Sequence, residues 1–132
     1  MPQVVPNKRD VSNWTLSIIL LGGGLAWFLH LLLTYAVAEF GCVSGFADFQ
    51  WLGIDGIAWL LLAASVPPIL LGIVSVWIAN RTTRKLQQAS DTGEEINRPE
   101  QQAVRIGLIL NGFFLLTILV QTVPIFYYLD GC

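Results

Sequence analysis

The stretch VSNWTLSIILLGGGLAWFLHLLLTYAVA, residues 11–38, holds a single side chain that titrates near neutral pH, His30. About 20 residues of helix cross the roughly 30 Å of hydrocarbon in a bilayer, and this run is longer than that. Two further runs, 56–80 and 106–129, hold no such side chain at all. In hydrocarbon every backbone N–H and C=O has to be paired inside its own helix or inside a closed barrel, and three unbroken runs are too few for a barrel. The expected fold class is therefore an all-α membrane protein: a single membrane domain over 1–132 with three transmembrane helices at about 14–40, 56–80 and 103–128.

Composition points the same way. Of 132 residues, 55% are hydrophobic and 12% charged, and the mean hydropathy is +0.64. So few polar groups cannot coat a soluble sphere. A net charge of −2 and a pI near 5.1 offer no basic patch for nucleic acid.

The position of the charges sets an expected topology. Lys8 and Arg9 precede the first run, Arg81, Arg84 and Lys85 follow the second, and Arg98 and Arg105 flank the start of the third. The segment 41–55 and the tail after Tyr128 carry no basic residue. By the positive-inside rule the N-terminus and the loop 81–102 are cytoplasmic, and the loop 41–55 and the C-terminus lie outside. Ala36-Val37-Ala38 has the look of a signal cleavage site, but the apolar run before it far exceeds the roughly 7 to 15 residues of a signal core. The first run is expected to stay as a span.

The two connections differ in kind. Gln87 to Glu95 is polar, has no aromatic residue and no apolar periodicity, and reads as a mobile loop after a short helical extension of the second span. Its Asp and Glu side chains read as solvated charge. Arg98-Pro99-Glu100 then reads as a helix start, with Pro at a position whose N–H is not needed and Glu at the positive end of the dipole. The outer loop instead holds Phe46, Phe49 and Trp51, rings of the type that settle at headgroup level, so it lies along the membrane surface or under a partner subunit.

At 100° per residue, Gly23, Ala26, Trp27, Thr34 and Val37 share a side of the first helix with His30. Gly72, Val76 and Ala79 gather around Ser65 on the second, and Gly107, Phe114, Thr117 and Tyr128 around Gln121 on the third. Small residues let helix backbones approach, and polar ones bond across. Gly23, Gly72, Ser65 and Gln121 are thus the expected packing residues. His30, Ser65 and Gln121 fall at one depth in the outer half. Gly22-Gly23-Gly24, Gly72 and Asn111-Gly112 fall at a lower one, which suits a close crossing. Pro67-Pro68 is expected to interrupt the second helix and free carbonyls for Ser65 or a neighbour.

His30 is the one residue suited to chemistry inside a bilayer, as a haem ligand, a quinone hydrogen-bond donor or a member of a proton relay. The other reading is a neutral structural imidazole bonded to Gln121, Ser65, Thr34 or a partner's backbone. A haem with two His ligands would need a second chain, because there is no second His. Glu39 is close enough to the end of its run to reach the interface, and Asp55 reads as the start of the second helix. Cys42 and Cys132 share the outer side, where a disulfide between them would staple the first helix to the third; a lipidated or a free thiol is the alternative. No nucleophile and base pair, phosphate loop, metal cluster or CxxC occurs, so an autonomous enzyme is not expected.

Trp27-Phe28-Leu29-His30, with Tyr35 and then Gly41-Cys42, resembles the first helix of small three-helix proteins found with bacterial cytochrome oxidases and with alternative complex III. The latter is a quinol-oxidising complex of bacteria that lack a cytochrome bc complex. The closing stretch Pro124 to Cys132 is similar as well. The resemblance implies an accessory subunit in a bacterial inner membrane, beside larger helical membrane subunits and lipid. It implies that this chain binds no cofactor alone, and that haem, iron-sulfur clusters and quinol belong to the partner subunits. It transfers no catalytic motif; His30, Tyr35 and the cysteines are matching positions only. An assembly factor for a haem-copper oxidase, or a helper at a quinone or haem site through His30, are the competing readings. A pore-former is disfavoured by too few polar residues to line a channel.

Overall fold

The structure, a computed structural model, describes residues 11–45, 48–93 and 98–126. Its helices are α1 (Asn13–Ser44), α2 (Gly56–Asp91) and α3 (Arg98–Thr122), the last followed by a 3-10 turn, Val123–Phe126. Two short strands, β1 (Gln50–Trp51) and β2 (Ile54–Asp55), lie between α1 and α2. All three helices are long and apolar enough to cross a membrane, which marks the chain as a multi-pass membrane protein. Each helix packs on both others. α1 and α3 run parallel: the Val11 N–H points at Glu100 Oε2 (3.5 Å) at one end, and His30 meets Thr122 towards the other. α2 returns between them.

A seven-residue repeat builds the core. On α2, Ala58, Ser65, Gly72, Ala79 and Leu86 are buried in that register, flanked by Leu61, Pro68, Ser75 and Ala89. On α1 the pairs Ile19/Ala26 and Gly23/His30 have the same spacing, and on α3 so do Val104, Asn111 and Ile118. Such spacing holds one seam against its neighbours when helices wrap with a left-handed coil. Most seam residues of α2 are small, so its contacts with the other helices come from close backbones rather than large interlocking side chains. The seam of α3 differs from the face read from Gln121. Gly107 lies on it, but Thr117 turns its hydroxyl back to Phe113 O (2.9 Å), and Tyr128 lies outside the described residues.

Several boundaries shift. α1 continues to Ser44 and stops at Gly45, whose φ of +73° only glycine adopts without strain. α2 does not end at 80 but continues to Asp91, so much of the expected loop 81–102 is helix. The reason is that Leu86 and Ala89 prolong the repeat beyond the apolar run, and Leu86 joins Ile19, Ala79 and Val104 in one apolar cluster. α3 begins at Arg98, where Arg98-Pro99-Glu100 reads as a helix start, five residues ahead of the span expected from 103, and gives way at Val123 to the 3-10 turn, next to Pro124, which has no N–H to donate; 127 and 128 lie outside the described residues.

Pro67-Pro68 leaves α2 α-helical throughout, contrary to the interruption expected. The missing N–H groups withhold donors from the carbonyls of Ala63 and Ala64. The Ser65 hydroxyl serves neither of these, since it donates to Leu61 O (2.8 Å).

The outer connection contains a hairpin. β1 and β2 pair antiparallel, Gln50 with Asp55 and Trp51 with Ile54, around Leu52-Gly53. Asp55 is the N-cap residue of α2 in extended conformation, as its place at the helix start suggested, yet its carboxylate accepts from Gln50 Nε2 (3.1 Å) instead of capping the helix.

Candidate functional site

The polar side chains of the bundle collect at two levels, set by the seam residues of α1. At the lower level Gly22 and Gly23 bring two neighbours against the backbone. A Cβ on Gly22 would meet the Ser75 hydroxyl of α2, and one on Gly23 would meet Asn111 of α3, including its Cα at 2.8 Å. Gly107 of α3 completes the crossing, where an added Cβ would lie 2.7 Å from Ile19 O.

Into this crossing Asn111 inserts its amide. Its Oδ1 accepts from the Gly23 N–H (2.6 Å) and its Nδ2 donates to Ile19 O (2.7 Å). In an undisturbed α-helix the N–H of residue 23 and the C=O of residue 19 belong to one rung of the ladder. The amide therefore spans that rung with a matched donor and acceptor. Of the residues expected at this level, Gly72 packs against Leu115 of α3, while Gly112 has nothing within 4 Å of an added Cβ and takes no part.

Seven residues further along α1, about 10 Å higher, lies His30, only 2% exposed. Its Nε2 is 3.3 Å from Ser65 Oγ of α2 and 3.4 Å from Thr122 Oγ1 of α3. Each hydroxyl donates to its own helix, Ser65 to Leu61 O and Thr122 to Ile118 O, both at 2.8 Å. A hydroxyl has one proton to give. With both committed, the imidazole is the donor: Nε2–H is shared between two hydroxyl oxygens, and Nδ1 is left as the acceptor.

Of the partners named from sequence, the structure brings Ser65 to His30 and does not bring Gln121 or Thr34. Thr34 bonds the carbonyls of His30 and Leu31 in its own helix. Gln121, at the same depth, has a buried Oε1 with no hydrogen-bond partner, as do His30 Nδ1 and Trp27 Nε1. Trp27 is one turn below His30 and rests its ring on Phe114, centroids 5.9 Å apart. Thr122 was missed from sequence, although it follows Gln121 directly, and its i−4 partner Ile118 is on the α3 seam.

The other expected positions lie at the periphery. Tyr35 and Glu39 are exposed one turn apart on α1, with the phenol beside the carboxylate. Cys42 is exposed in the last turn of α1, and Cys132 lies outside the described residues. Among the described residues no three His, Cys, Asp or Glu side chains gather as metal ligands. Arg81 lies over the Trp77 ring, 5.3 Å from its centroid, and marks the far end of the apolar part of α2. Comparison with family models, curated proteins and solved structures finds no match to this chain.

Proposed function

We propose that this chain is an accessory integral membrane subunit of a quinol-oxidising electron-transfer complex of the alternative complex III kind, set in a bacterial cytoplasmic membrane. The supporting observation is the direction of its side chains. His30, Ser65, Ser75 and Asn111 face inward, while Phe28, Leu32, Leu70, Trp77, Ile109 and Phe113 face outward from all three helices. Such an exterior is stable only against lipid tails or other apolar helices. The distribution of the seven basic residues supports a cytoplasmic N-terminus and α2–α3 connection.

On this reading the larger subunits carry haem, iron-sulfur clusters and the quinol site, and this chain packs beside them. Purification in mild detergent followed by subunit weighing tests it. A stoichiometric copy in the purified complex supports a subunit. Absence from the mature complex, with presence on a haem-copper oxidase precursor, supports the assembly-factor reading instead.

His30 has a structural role in this proposal, because its imidazole is enclosed between α2 and α3. His30→Gln retains a donor at that place and is expected to leave haem content and quinol turnover at the parent's level. A loss of turnover of more than about tenfold, or about 1.4 kcal/mol in the barrier, with the subunit still bound, would make His30 a cofactor contact. The proposal also includes the Cys42–Cys132 disulfide on the outer side. Two thiols per chain alkylated under denaturing conditions without reductant would exclude it.

A further inference from the structure

The β1–β2 hairpin displays apolar side chains on a rigid mount. Its two-residue turn has positive φ at both positions, +57° at Leu52 and +75° at Gly53, the type I′ pattern in which Asn-Gly is the usual choice. Leucine is poorly suited to that conformation. It is nevertheless held there at the tip, 76% exposed, beside Trp51 at 56%.

The mount is α2 itself. The Gly56 N–H donates to Phe49 O (2.6 Å), and the Trp59 Nε1–H donates to Trp51 O (3.2 Å). The Trp51 and Trp59 rings pack 5.2 Å apart and tilted by 47°. The hairpin is thus bonded to the first turn of the helix and cannot swing freely.

Its height follows from the helix. Eighteen residues separate Trp59 from Trp77, about 27 Å of rise, close to the roughly 30 Å of a hydrocarbon core. Trp77 carries Arg81 over its ring at one end, and Trp59 carries Trp51 at the other. Tryptophans at such a separation fit the two interfacial belts. The segment Gly45–Asp55 brings no basic residue that would draw the hairpin towards anionic headgroups, and it exposes the apolar side chains of Phe49, Trp51 and Leu52.

We infer that the hairpin is an interfacial anchor, with Leu52 and Trp51 lodged in the lipid at the acyl–headgroup boundary of the outer leaflet, fixing the depth of α2. The inference rests on the membrane reading above. Because the anchor is bonded to α2, the depth it sets is transmitted to the His30 level without passing through a flexible loop.

The test uses the full chain in phosphatidylcholine vesicles, with a genetically encoded fluorescent amino acid replacing Leu52, Ile73 at mid-helix or Ser90 on the α2 extension. At 52, quenching by lipids brominated near the carbonyl is expected to exceed quenching by lipids brominated deep in the chain. Aqueous iodide should quench it about threefold less than at 90, since the interface excludes the anion. At 73, the deep bromines should dominate. Iodide quenching at 52 equal to that at 90, with 73 still deep, overturns the anchor and leaves the spans standing. Loss of the deep signal at 73 overturns the membrane reading and the anchor with it. Shielding of 52 that arises only inside a purified complex would identify a protein partner as the occupant and overturn lipid. Far-ultraviolet dichroism of each variant confirms that the helices persist.

Discussion

The two polar levels of the bundle are built from similar materials and reach opposite results. At the lower one the Asn111 amide has a donor and an acceptor matched to a donor and an acceptor, at 2.6 and 2.7 Å. At the upper one His30 shares a single N–H between two hydroxyls at 3.3 and 3.4 Å, and its other ring nitrogen, Gln121 Oε1 and Trp27 Nε1 have no partner. The difference lies in what stands opposite. Gly23 exposes the α1 backbone to Asn111, whereas the side chains that reach the His30 ring among the described residues are hydroxyls already pledged to their own helices. Backbone groups that side chains can approach are a better source of interhelical bonds than Ser or Thr, whose protons are taken within the helix.

The sharpest way to break the lower level is to fill its space. Gly23→Val sets a branched side chain against the Asn111 backbone and is expected to cost about 3 kcal/mol or more, read from denaturant unfolding in detergent micelles. Asn111→Asp comes next, at about 2 to 3 kcal/mol, since a carboxylate accepts from Gly23 but offers nothing to Ile19 and brings charge into the bundle. Asn111→Leu should cost only about 1 kcal/mol, because the Gly23 N–H and the Ile19 carbonyl can then close on each other. If Asn111→Leu proves as harmful as Gly23→Val, the amide is no bridge over an otherwise complete rung.

The upper level predicts small effects. Ser65→Ala and Thr122→Val should each cost about 0.6 kcal/mol, and the double variant more than their sum, because either hydroxyl alone still accepts the His30 proton. Smallest is Gln121→Leu, which removes an acceptor without a partner and is expected to be neutral or slightly stabilising. A loss of more than about 1 kcal/mol in Gln121→Leu would show that its oxygen is bonded in the membrane, and the contrast between the levels would narrow.

The spans were legible in the sequence because hydrocarbon demands long uncharged runs, and 11–38, 56–80 and 106–129 satisfy it openly. The seam was partly legible: Ser65, Gly72 and Ala79 stand out as small residues seven apart, and Gly22-Gly23-Gly24 was placed level with Asn111. The bond between the Asn111 amide and the α1 backbone was not, because sequence gives depth along an axis but not which group a side chain finds there. Thr122 escaped because threonine in a helix normally bonds its own i−4 carbonyl, and it does so here as well. A short helical extension beyond 80 was legible, but its run through 87–91 was not, because the polar residues there outnumber Ala89, which with Leu86 continues the seam. The hairpin was hidden by Leu52, which occupies a turn position where sequence patterns look for Asn or Gly.

The amide across the Ile19–Gly23 rung also has a history to explain, since a chain is made from its N-terminus. α1 emerges long before Asn111 exists, and at that stage Gly23 and Ile19 have only each other. The first helix can therefore pair the 19–23 rung within itself before any companion is made. α3 arrives later with an amide that needs both a donor and an acceptor in apolar surroundings, and it finds them on α1 at the Gly23 N–H and the Ile19 carbonyl. The bare backbone at Gly23 is thus a docking place made with the first helix and filled by the last one to be synthesised.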